Sequence, residues 1–288
     1  NYKILKNSDR VFIVNEGVGF SVLPLLILLK LFNKKQINFF VMGLFSKRIK
    51  FPPLFFIHKL LIKLLISCVD NVFFLGEGEF NRAKRFINRN KKFHFTGFCI
   101  DTNFWKIDQS VDKKNNQILF VGNDGNRNIS LLLNLIDKMK SYNFLVISNL
   151  LEQQINKKNL RIINGNWNSK DISDYDLKKH YKESLITIIP LNNSYQPSGQ
   201  SVALQSMSQG TPVFISKTKG FWEPDSFKNN EHLIFLESED TDEWEKKINK
   251  TVNDQKLMNF ISESSVKKIN DEYNLSVYYS KIKKIIDI

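Results

Sequence analysis

Short runs of consecutive apolar residues alternate along this chain with longer stretches whose apolar positions recur at helical spacing. In the first part of the chain this pattern predicts strands at 11–16, 37–44, 71–76 and 93–98. In the second part it predicts strands at 117–122, 143–148, 160–165, 185–190, 211–216 and 232–237. Apolar strands separated by helices are typical of βαβ units. The sequence therefore predicts an α/β fold with parallel sheets.

A polar stretch without periodicity, 106–116, interrupts this alternation and is the predicted linker. It divides the chain into two Rossmann-like domains, at 1–108 and 109–274, and a last helix at 275–288. Parallel sheets of this kind bind ligands in the crevice at the carboxyl ends of their strands. We therefore expect the functional site in a cleft between the two sheets.

The composition is that of a folded globular protein, with 288 residues, 42% hydrophobic and 25% charged. The two cysteines form no CxxC pair, and no two of the four histidines have the spacing of metal ligands. The chain also lacks a P-loop, a GxGxxG motif after a strand and a GxSxG motif. These absences argue against kinase, dehydrogenase and serine-hydrolase chemistry, and we expect no metal and no cofactor.

The formal net charge of +13 is concentrated in the first third of the chain. Residues 1–108 contain 18 lysines and arginines against 7 acidic residues, a net charge of +11, whereas the remainder carries +2. Such a field favours anionic lipid, nucleic acid or a phosphorylated substrate. Solubility in a lysine-rich proteome is the simpler explanation.

Two apolar segments of this basic region bear on a membrane. The segment 21–32 is too short to span a bilayer, so no transmembrane helix is predicted. The segment 54–67 carries Lys59 and Lys63 on one helical face with a wide apolar arc around them. It is either a buried crossover helix or a helix lying on a membrane surface.

The most specific candidate site follows the strand at 185–190. Ser198 is a predicted N-cap, and Gly199 allows a ligand to approach the backbone. The amide groups of Gly199, Gln200 and Ser201 would then offer an anion such as a diphosphate the N-terminus of a helix. Gln205 lies one turn further on and would reach the same ligand. An ordinary capped helix between two strands is the alternative.

Three phrases of the sequence resemble the group 1 glycosyltransferases, a large retaining family with the GT-B fold. The helix ends in QSMSQGTPV at 205–213, which is similar to the family's E-A-M-A-x-G-x-P-V phrase. GFCIDTNFW at 97–105 resembles the exit from the family's N-terminal domain, and QILFVGNDGNRN at 117–128 resembles the opening of its C-terminal domain. The resemblance implies a GT-B-like fold, with two parallel sheets facing across a cleft.

The same resemblance implies site residues. Arg127, in the loop after Gly122, is placed like the family's basic residue that grips the diphosphate, and it is the predicted catalytic residue. Asn123 stands where many relatives have arginine, and Gln205 replaces the second glutamate of the family's E-x7-E pair. Pro197 occupies the position of the first. We expect Gly122, Asn123, Ser198, Gly199, Gln200, Ser201 and Gln205 to bind the donor.

Three further expectations concern the two ends of the chain and one loop. Only about half of the family's N-terminal domain matches, so residues 1–108 are expected to be an incomplete acceptor domain. The last helix, 275–288, would pack back on that domain. Trp167, after the strand at 160–165, would stack on a nucleobase or pack in a loop.

The resemblance implies a glycosyltransferase that moves a sugar from a nucleotide-sugar donor to an acceptor hydroxyl with retention. The acceptor would be a lipid-linked or cell-envelope glycan, reached from the cytoplasm with peripheral contact at the anionic inner face of the membrane. Two alternatives stay open. One is a relative that binds a nucleotide sugar or glycan without turnover, suggested by Asn123 and the missing glutamate. The other is a nucleic-acid-binding protein, which only the charge suggests.

Overall fold

The first sheet contains four parallel strands in chain order. The computed structural model describes residue 5 and residues 7–32, 35–46, 51–87, 92–152, 155–166 and 171–286. The strands, in the spatial order β1-β2-β3-β4, are β1 (Arg10–Ile13), β2 (Gln36–Val41), β3 (Asn71–Phe74) and β4 (Phe93–Phe95). The connecting helices are α1 (Glu16–Ser21), α2 (Leu23–Phe32), α3 (Pro52–Cys68) and α4 (Glu77–Phe86).

The second sheet contains six parallel strands whose order changes direction in the middle. These strands are β5 (Gln117–Val121), β6 (Asn143–Ile147), β7 (Leu160–Ile163), β8 (Ile186–Ile189), β9 (Val213–Ser216) and β10 (Ile234–Leu236). Their spatial order is β7-β6-β5-β8-β9-β10, the doubly wound arrangement with its switch point between β5 and β8. The helices of this unit are α5 (Ile129–Lys138), α6 (Asp174–Glu183), α7 (Gln200–Ser208), α8 (Thr241–Val252), α9 (Gln255–Glu272) and α10 (Leu275–Ile286).

Local sequence signals explain where several helices begin. The Asn15 side chain accepts a hydrogen bond from the Val18 amide at 2.9 Å and caps α1. Ser173 and Asp176 form a reciprocal capping box at the start of α6. Proline at the first position of α3 lacks an amide hydrogen that would in any case have no helical partner there.

Apolar side chains form one core under the first sheet and one on each face of the second sheet. Phe39 and Leu65 are fully buried in the first core. Phe120 and Trp244 lie on one face of the second sheet, and Trp222 lies on the other. Because both faces of the second sheet are covered, its strands read as continuous apolar runs rather than as alternating ones.

The predicted strands and their parallel arrangement are confirmed. At one end or both, each strand stops short of its predicted range by one or more residues. The helical segment between β1 and β2 is split into α1 and α2 at Val22, because Pro24 follows and cannot donate an amide hydrogen bond back into the preceding turn. In the part of the chain that the structure describes, no helix combines the length and the apolarity that crossing a membrane requires.

The segment 106–116 contains neither helix nor strand, as its composition predicts, but it is anchored to the second unit. The Lys113 ammonium donates a hydrogen bond to the Gly210 carbonyl at 2.8 Å. At the far end of the chain, Gln36 on β2 donates to the Ile286 carbonyl at 3.1 Å. This bond connects helix α10 to the first sheet.

Candidate functional site

A cavity of about 340 Å³ lies at the carboxyl ends of the strands of the second sheet, beside its switch point. This is the place where doubly wound sheets bind their ligands. It is lined by the end of β5 and the loop after it, by α6 and by the first turns of α7. The lining residues are Val121, Gly122, Asn123, Asp124, Arg127, Asp174, Leu177, Tyr181, Ser201, Val202 and Gln205.

Arg127 is the only arginine or lysine among these lining residues, and two glycines make room for it. Gly122 has φ of +157° and Gly199 has φ of +77°. A methyl group on Gly122 would overlap the Arg127 guanidinium, and one on Gly199 would approach its Nη1 to 3.2 Å. The side chain therefore fills the space that these two positions leave open.

The Arg127 guanidinium is buried and incompletely paired. The residue is only 6% exposed, and an ion pair joins its Nη2 to Asp124 Oδ2 at 3.3 Å. Among the residues that the structure describes, none is a hydrogen-bond partner of Nε or Nη1. Burial lowers the pKa of Arg127 from its ordinary value, and the neighbouring Asp124 carboxylate opposes this shift. A buried cation with two unpartnered N–H donors is costly unless an anion occupies the cavity.

The N-terminus of α7 is available to a ligand because no side chain caps it. Its N-cap is Gly199, which makes no side-chain hydrogen bond. The expectation that Ser198 is the N-cap is therefore wrong: the left-handed backbone of Gly199 makes the turn into the helix. The first intrahelical bond runs from the Ala203 amide to the Gly199 carbonyl at 2.9 Å, so the amides before it are not used within the helix.

Gln205 faces the cavity one turn after Ser201 and is held by Tyr181. The Tyr181 hydroxyl donates to Gln205 Oε1 at 3.2 Å. Tyr181 is fully buried, and this burial raises the pKa of its hydroxyl above the ordinary value, so it stays protonated and donates. Because Oε1 accepts this bond, Nε2 is the end of the Gln205 amide that can donate to a ligand.

Asn123 lines the cavity, but both ends of its amide are engaged in the protein. Nδ2 donates to the Gly165 carbonyl after β7, and Oδ1 accepts from the Asn149 amide after β6 at 2.8 Å. The side chain thus ties together the ends of three neighbouring strands. Its part in donor binding stays a prediction.

Ser198 and Gln200 lie beside the cavity rather than in its lining. Ser198 Oγ accepts from Asn126 Nδ2 at 2.8 Å, which joins the loop after β8 to the loop after β5. Gln200 Nε2 donates to the Leu75 carbonyl of the first unit at 2.6 Å. These two side chains hold the walls of the site in place.

The two units meet tightly around this cleft. A methyl group on Gly43 would come within 2.8 Å of the Gln196 side chain, and one on Gly76 would come within 2.8 Å of Pro197. The Glu77 amide donates to the Trp222 carbonyl at 2.9 Å. Loops after β2 and β3 therefore contact the loops that frame the cavity.

Three charged residues of the loop after β9 lie outside the lining. Lys217 pairs with Glu237 at 2.8 Å, and the Lys219 ammonium lies 5.8 Å from the centre of the Tyr195 ring. Glu223 packs against Gly97, and burial raises the pKa of its carboxyl. None of the three reaches the cavity, because the chain from Lys217 to Glu223 runs along the contact between the two units.

Six lining residues were not predicted from the sequence, and three of these, Asp174, Leu177 and Tyr181, come from one helix. They lie on α6, the helix after β7, whose capping box is visible in the sequence but carries no signal for a ligand. Trp167, proposed above as a stacking residue, lies outside the described residues. Among the residues that the structure describes, no three His, Cys, Asp or Glu side chains gather as a metal site would require, and metal-independent chemistry stays a prediction.

Two parallel sheets that face each other across a cleft define a GT-B-type fold, and a buried cation and a helix N-terminus at the switch point of the second sheet form its candidate anion site. Residues 101–268 match the family described as "Glycosyl transferases group 1". Because this match covers more than half of the chain, the chain belongs to the group 1 glycosyltransferase family.

Solved structures agree on the fold at low sequence identity. Sucrose-phosphate synthase from Thermosynechococcus elongatus aligns with a TM-score of 0.79 and 12% identity over 99% of this chain and 75% of its own. Anabaena HepE in complex with UDP-glucose aligns with a TM-score of 0.75 and 10% identity, over 100% of this chain and 81% of its own. S. aureus TarM in complex with Fondaparinux, alpha-GlcNAc-glycerol and UDP aligns with a TM-score of 0.72 and 12% identity, over 96% of this chain and 55% of its own. A comparison with curated protein sequences found no significant match. The predicted GT-B-like fold is confirmed.

Proposed function

We propose that the cavity binds the diphosphate of a nucleotide-sugar donor and that the sugar is transferred to an acceptor hydroxyl with retention. The observation that supports this most strongly is Arg127, a buried guanidinium whose Nε and Nη1 have no partner among the residues that the structure describes. A diphosphate would supply acceptor oxygens for its N–H donors. We base the proposed catalytic role of Arg127 on this placement.

The chemical demand of the reaction is negative charge that develops on the leaving nucleoside diphosphate. Arg127 and the uncapped N-terminus of α7 would both stabilise that charge where it appears. Gln205 Nε2 would donate to a ribose hydroxyl or a phosphate oxygen at the deeper end. The Asp174 carboxylate, on the opposite wall, would accept from a ribose hydroxyl. No metal ion is required in this scheme.

The base of the donor is best sought first among uridine nucleotides. The HepE structure contains UDP-glucose, and the TarM structure contains UDP. These ligands belong to those proteins, and at such low identity they only set the order of trials. UDP is therefore the first probe, followed by GDP, ADP and CMP.

Thermal-shift titration with these nucleotides tests the site. A ligand at 100 times its dissociation constant adds about 2.7 kcal/mol to the stability of the folded state. One nucleoside diphosphate should raise the melting temperature of the wild type, and Arg127→Ala should remove most of that rise. Lys178→Ala is the matched control, because it removes a cation of α6 that does not line the cavity. An unchanged shift in Arg127→Ala would refute the assignment.

A relative that binds a nucleotide sugar without turnover is the second candidate. Gln205 in place of a glutamate and Asn123 in place of an arginine favour it, since each replaces a charged group by a neutral amide. Release of sugar from UDP-glucose, or transfer to a glycan, would reject this candidate. Binding of the nucleotide with no release of sugar would support it.

The acceptor is proposed to be a lipid-linked or cell-envelope glycan, with the enzyme in the cytoplasm at the inner face of the membrane. The support is the net charge of +11 on residues 1–108, which favours an anionic surface. Nucleic acid is not proposed as a partner. Salt-sensitive flotation with anionic liposomes tests the membrane contact, and absence of such binding would reject it.

A further inference from the structure

Helix α3 presents large apolar side chains to solvent over its first half. The helix buries Ile62, Leu65 and Ile66 against the first sheet near its C-terminal end. On or next to its N-terminal half, six large apolar side chains are each at least 40% exposed: Phe51, Leu54, Phe56, Ile57, Leu60 and Leu61. We call this set the α3 apolar face.

The exposure of this face is large for a surface helix. Phe56 is 68% exposed, Leu60 66% and Phe51 65%. Single exposed apolar residues are ordinary, but a contiguous set of this kind marks an interaction surface. The C-terminal half of the segment 54–67 is buried, as in a crossover helix, and its N-terminal half is exposed, while its contact with a membrane stays a prediction.

The charge around the face identifies the kind of partner. Between Glu16 and Asp70 the sequence contains eight lysines and arginines and no acidic residue. Within α3, Lys63 is exposed one turn from Leu60, and the Lys59 ammonium lies 5.3 Å from the centre of the Phe86 ring. A partner for this face must offer both an apolar phase and negative charge.

A second copy of the chain does not satisfy this requirement. Pairing two α3 apolar faces would bring Lys59 and Lys63 of one copy toward the same residues of the other, and like charges oppose such contact. No carboxylate lies on α3 to compensate. The interface of an anionic bilayer provides acyl chains and phosphate groups within a few ångströms of each other, which matches both properties.

The position of α3 relates this surface to the catalytic cleft. The helix begins nine residues after Gly43, whose backbone approaches Gln196 at the edge of the cleft. Its exposed N-terminal half therefore lies on the side of the first sheet where the strands end and the cleft opens. A protein resting on this face would hold the cleft close to the lipid surface.

We propose that the α3 apolar face is a membrane-docking surface, on which Phe56 and Leu60 enter the interface of an anionic bilayer while Lys59 and Lys63 contact lipid phosphates. This inference rests on the proposed function, because it identifies the surface by which the proposed enzyme would contact the membrane. Docking would supply a lipid-linked acceptor to the cleft by diffusion within the membrane plane.

Cosedimentation with lipid vesicles tests this surface. Wild type should bind vesicles that contain about 30% phosphatidylglycerol and bind phosphatidylcholine vesicles weakly, with release as salt rises from about 0.1 M to about 0.5 M. The triple variant Leu54→Ser, Phe56→Ser, Leu60→Ser should lower the bound fraction about tenfold or more, because three apolar side chains no longer partition. Lys63→Glu should also reduce binding, and only to anionic vesicles.

Phe260→Ser is the matched control, since Phe260 is an apolar residue 51% exposed on α9, in the second unit. The Phe260→Ser variant should bind vesicles as the wild type does. Equal binding by the triple variant and the wild type would overturn the proposal, as would a wild-type dimer that the triple variant dissociates. The thermal shift with UDP should persist in all of these variants. Its persistence would separate a failure of membrane docking from a failure of the donor site.

Discussion

Arg127 occupies its place because two neighbouring positions have no side chain and a third supplies a carboxylate. Gly122 and Gly199 leave the space that the guanidinium fills, and Asp124 pairs with one of its nitrogens. The two nitrogens that remain are buried beside a cavity with no other lysine or arginine in its lining. The proposed anion binding therefore depends on backbone conformations as much as on the arginine itself.

Gly122→Ala should disable the site through this packing. The added methyl group would overlap the Arg127 side chain, and the residue would have to hold a φ of +157°. We expect a loss of about 1–3 kcal/mol in the free energy of unfolding and no thermal shift with UDP. Gly125→Ala, three residues along the same loop, is the control, because its methyl group would meet no atom within 4 Å. A normal UDP shift in Gly122→Ala would contradict this account.

Tyr181 should act as a positioning residue for Gln205. Tyr181→Phe removes the hydroxyl that holds Gln205 Oε1 and costs about 1 kcal/mol of stability. UDP affinity should fall in Tyr181→Phe and in Gln205→Ala, and calorimetric titration of both variants and of the double variant measures their coupling. An interaction free energy of at least about 0.5 kcal/mol is expected. Additive losses would show that the tyrosine only packs.

The sequence predicted Arg127, Gly122 and Ser201 at the site because the loop after a strand and the start of a helix both carry recognisable signals. Asp174 and Tyr181 lacked such a signal. They reach the cavity from α6, which is brought there by the crossover between β7 and β8. A residue whose contacts are all distant in sequence has no local pattern to reveal it.

Among the elements, α4 secures the loop that follows β2. Glu79, fully buried in the first turn of this helix, accepts hydrogen bonds from the Gly43 amide at 3.0 Å and the Phe45 amide at 2.8 Å. Gly43 in turn meets Gln196 of the second unit. One carboxyl group thus shapes a wall of the cleft from the side of the first sheet.

The ionisation of Glu79 should make stability depend on pH. Burial raises the pKa of Glu79 from 4.5 to about 8; the two backbone hydrogen bonds and Arg82 act in the opposite direction, and Glu16 adds to the rise. Because the folded state holds this proton more tightly than the unfolded chain, the stabilisation is complete below about pH 4.5 and is lost as the pH rises through about 8. Denaturant unfolding of the wild type and Glu79→Gln at several pH values measures it. The difference in the free energy of unfolding between the wild type and Glu79→Gln should vary across this pH range. A constant difference would refute the raised pKa of Glu79.

Local signals at Pro52 and Ser173 mark the starts of α3 and α6, but the cap at Asn15 was missed, because the sequence predicted a strand over 11–16. The burial of α3 did not follow, because periodicity alone does not say which part of a helix the sheet covers. The α3 apolar face became visible only once the first sheet defined which residues lie beneath the helix.

For the whole molecule, the contact between the two units determines whether a donor and an acceptor can meet. Gln200 binds the Leu75 carbonyl, Glu77 binds the Trp222 carbonyl, and glycines at positions 43, 76, 78 and 97 allow close contact with the second unit. The cavity proposed to bind the diphosphate, in contrast, is lined entirely by residues of the second unit. Donor binding and transfer should therefore be separable by substitution.

Gly78→Ala should separate donor binding from sugar transfer. A methyl group at this position would overlap the Lys219 carbonyl across the contact, whereas within α4 alanine is favoured over glycine by about 1 kcal/mol. The variant should keep its UDP thermal shift, because Arg127 and α7 are untouched, and should lose most of its sugar transfer, because the first unit no longer closes on the second. Small-angle scattering should show a larger radius of gyration than the wild type. Unchanged transfer would mean that the closed contact is not required, and loss of the UDP shift would mean that the two units do not bind independently.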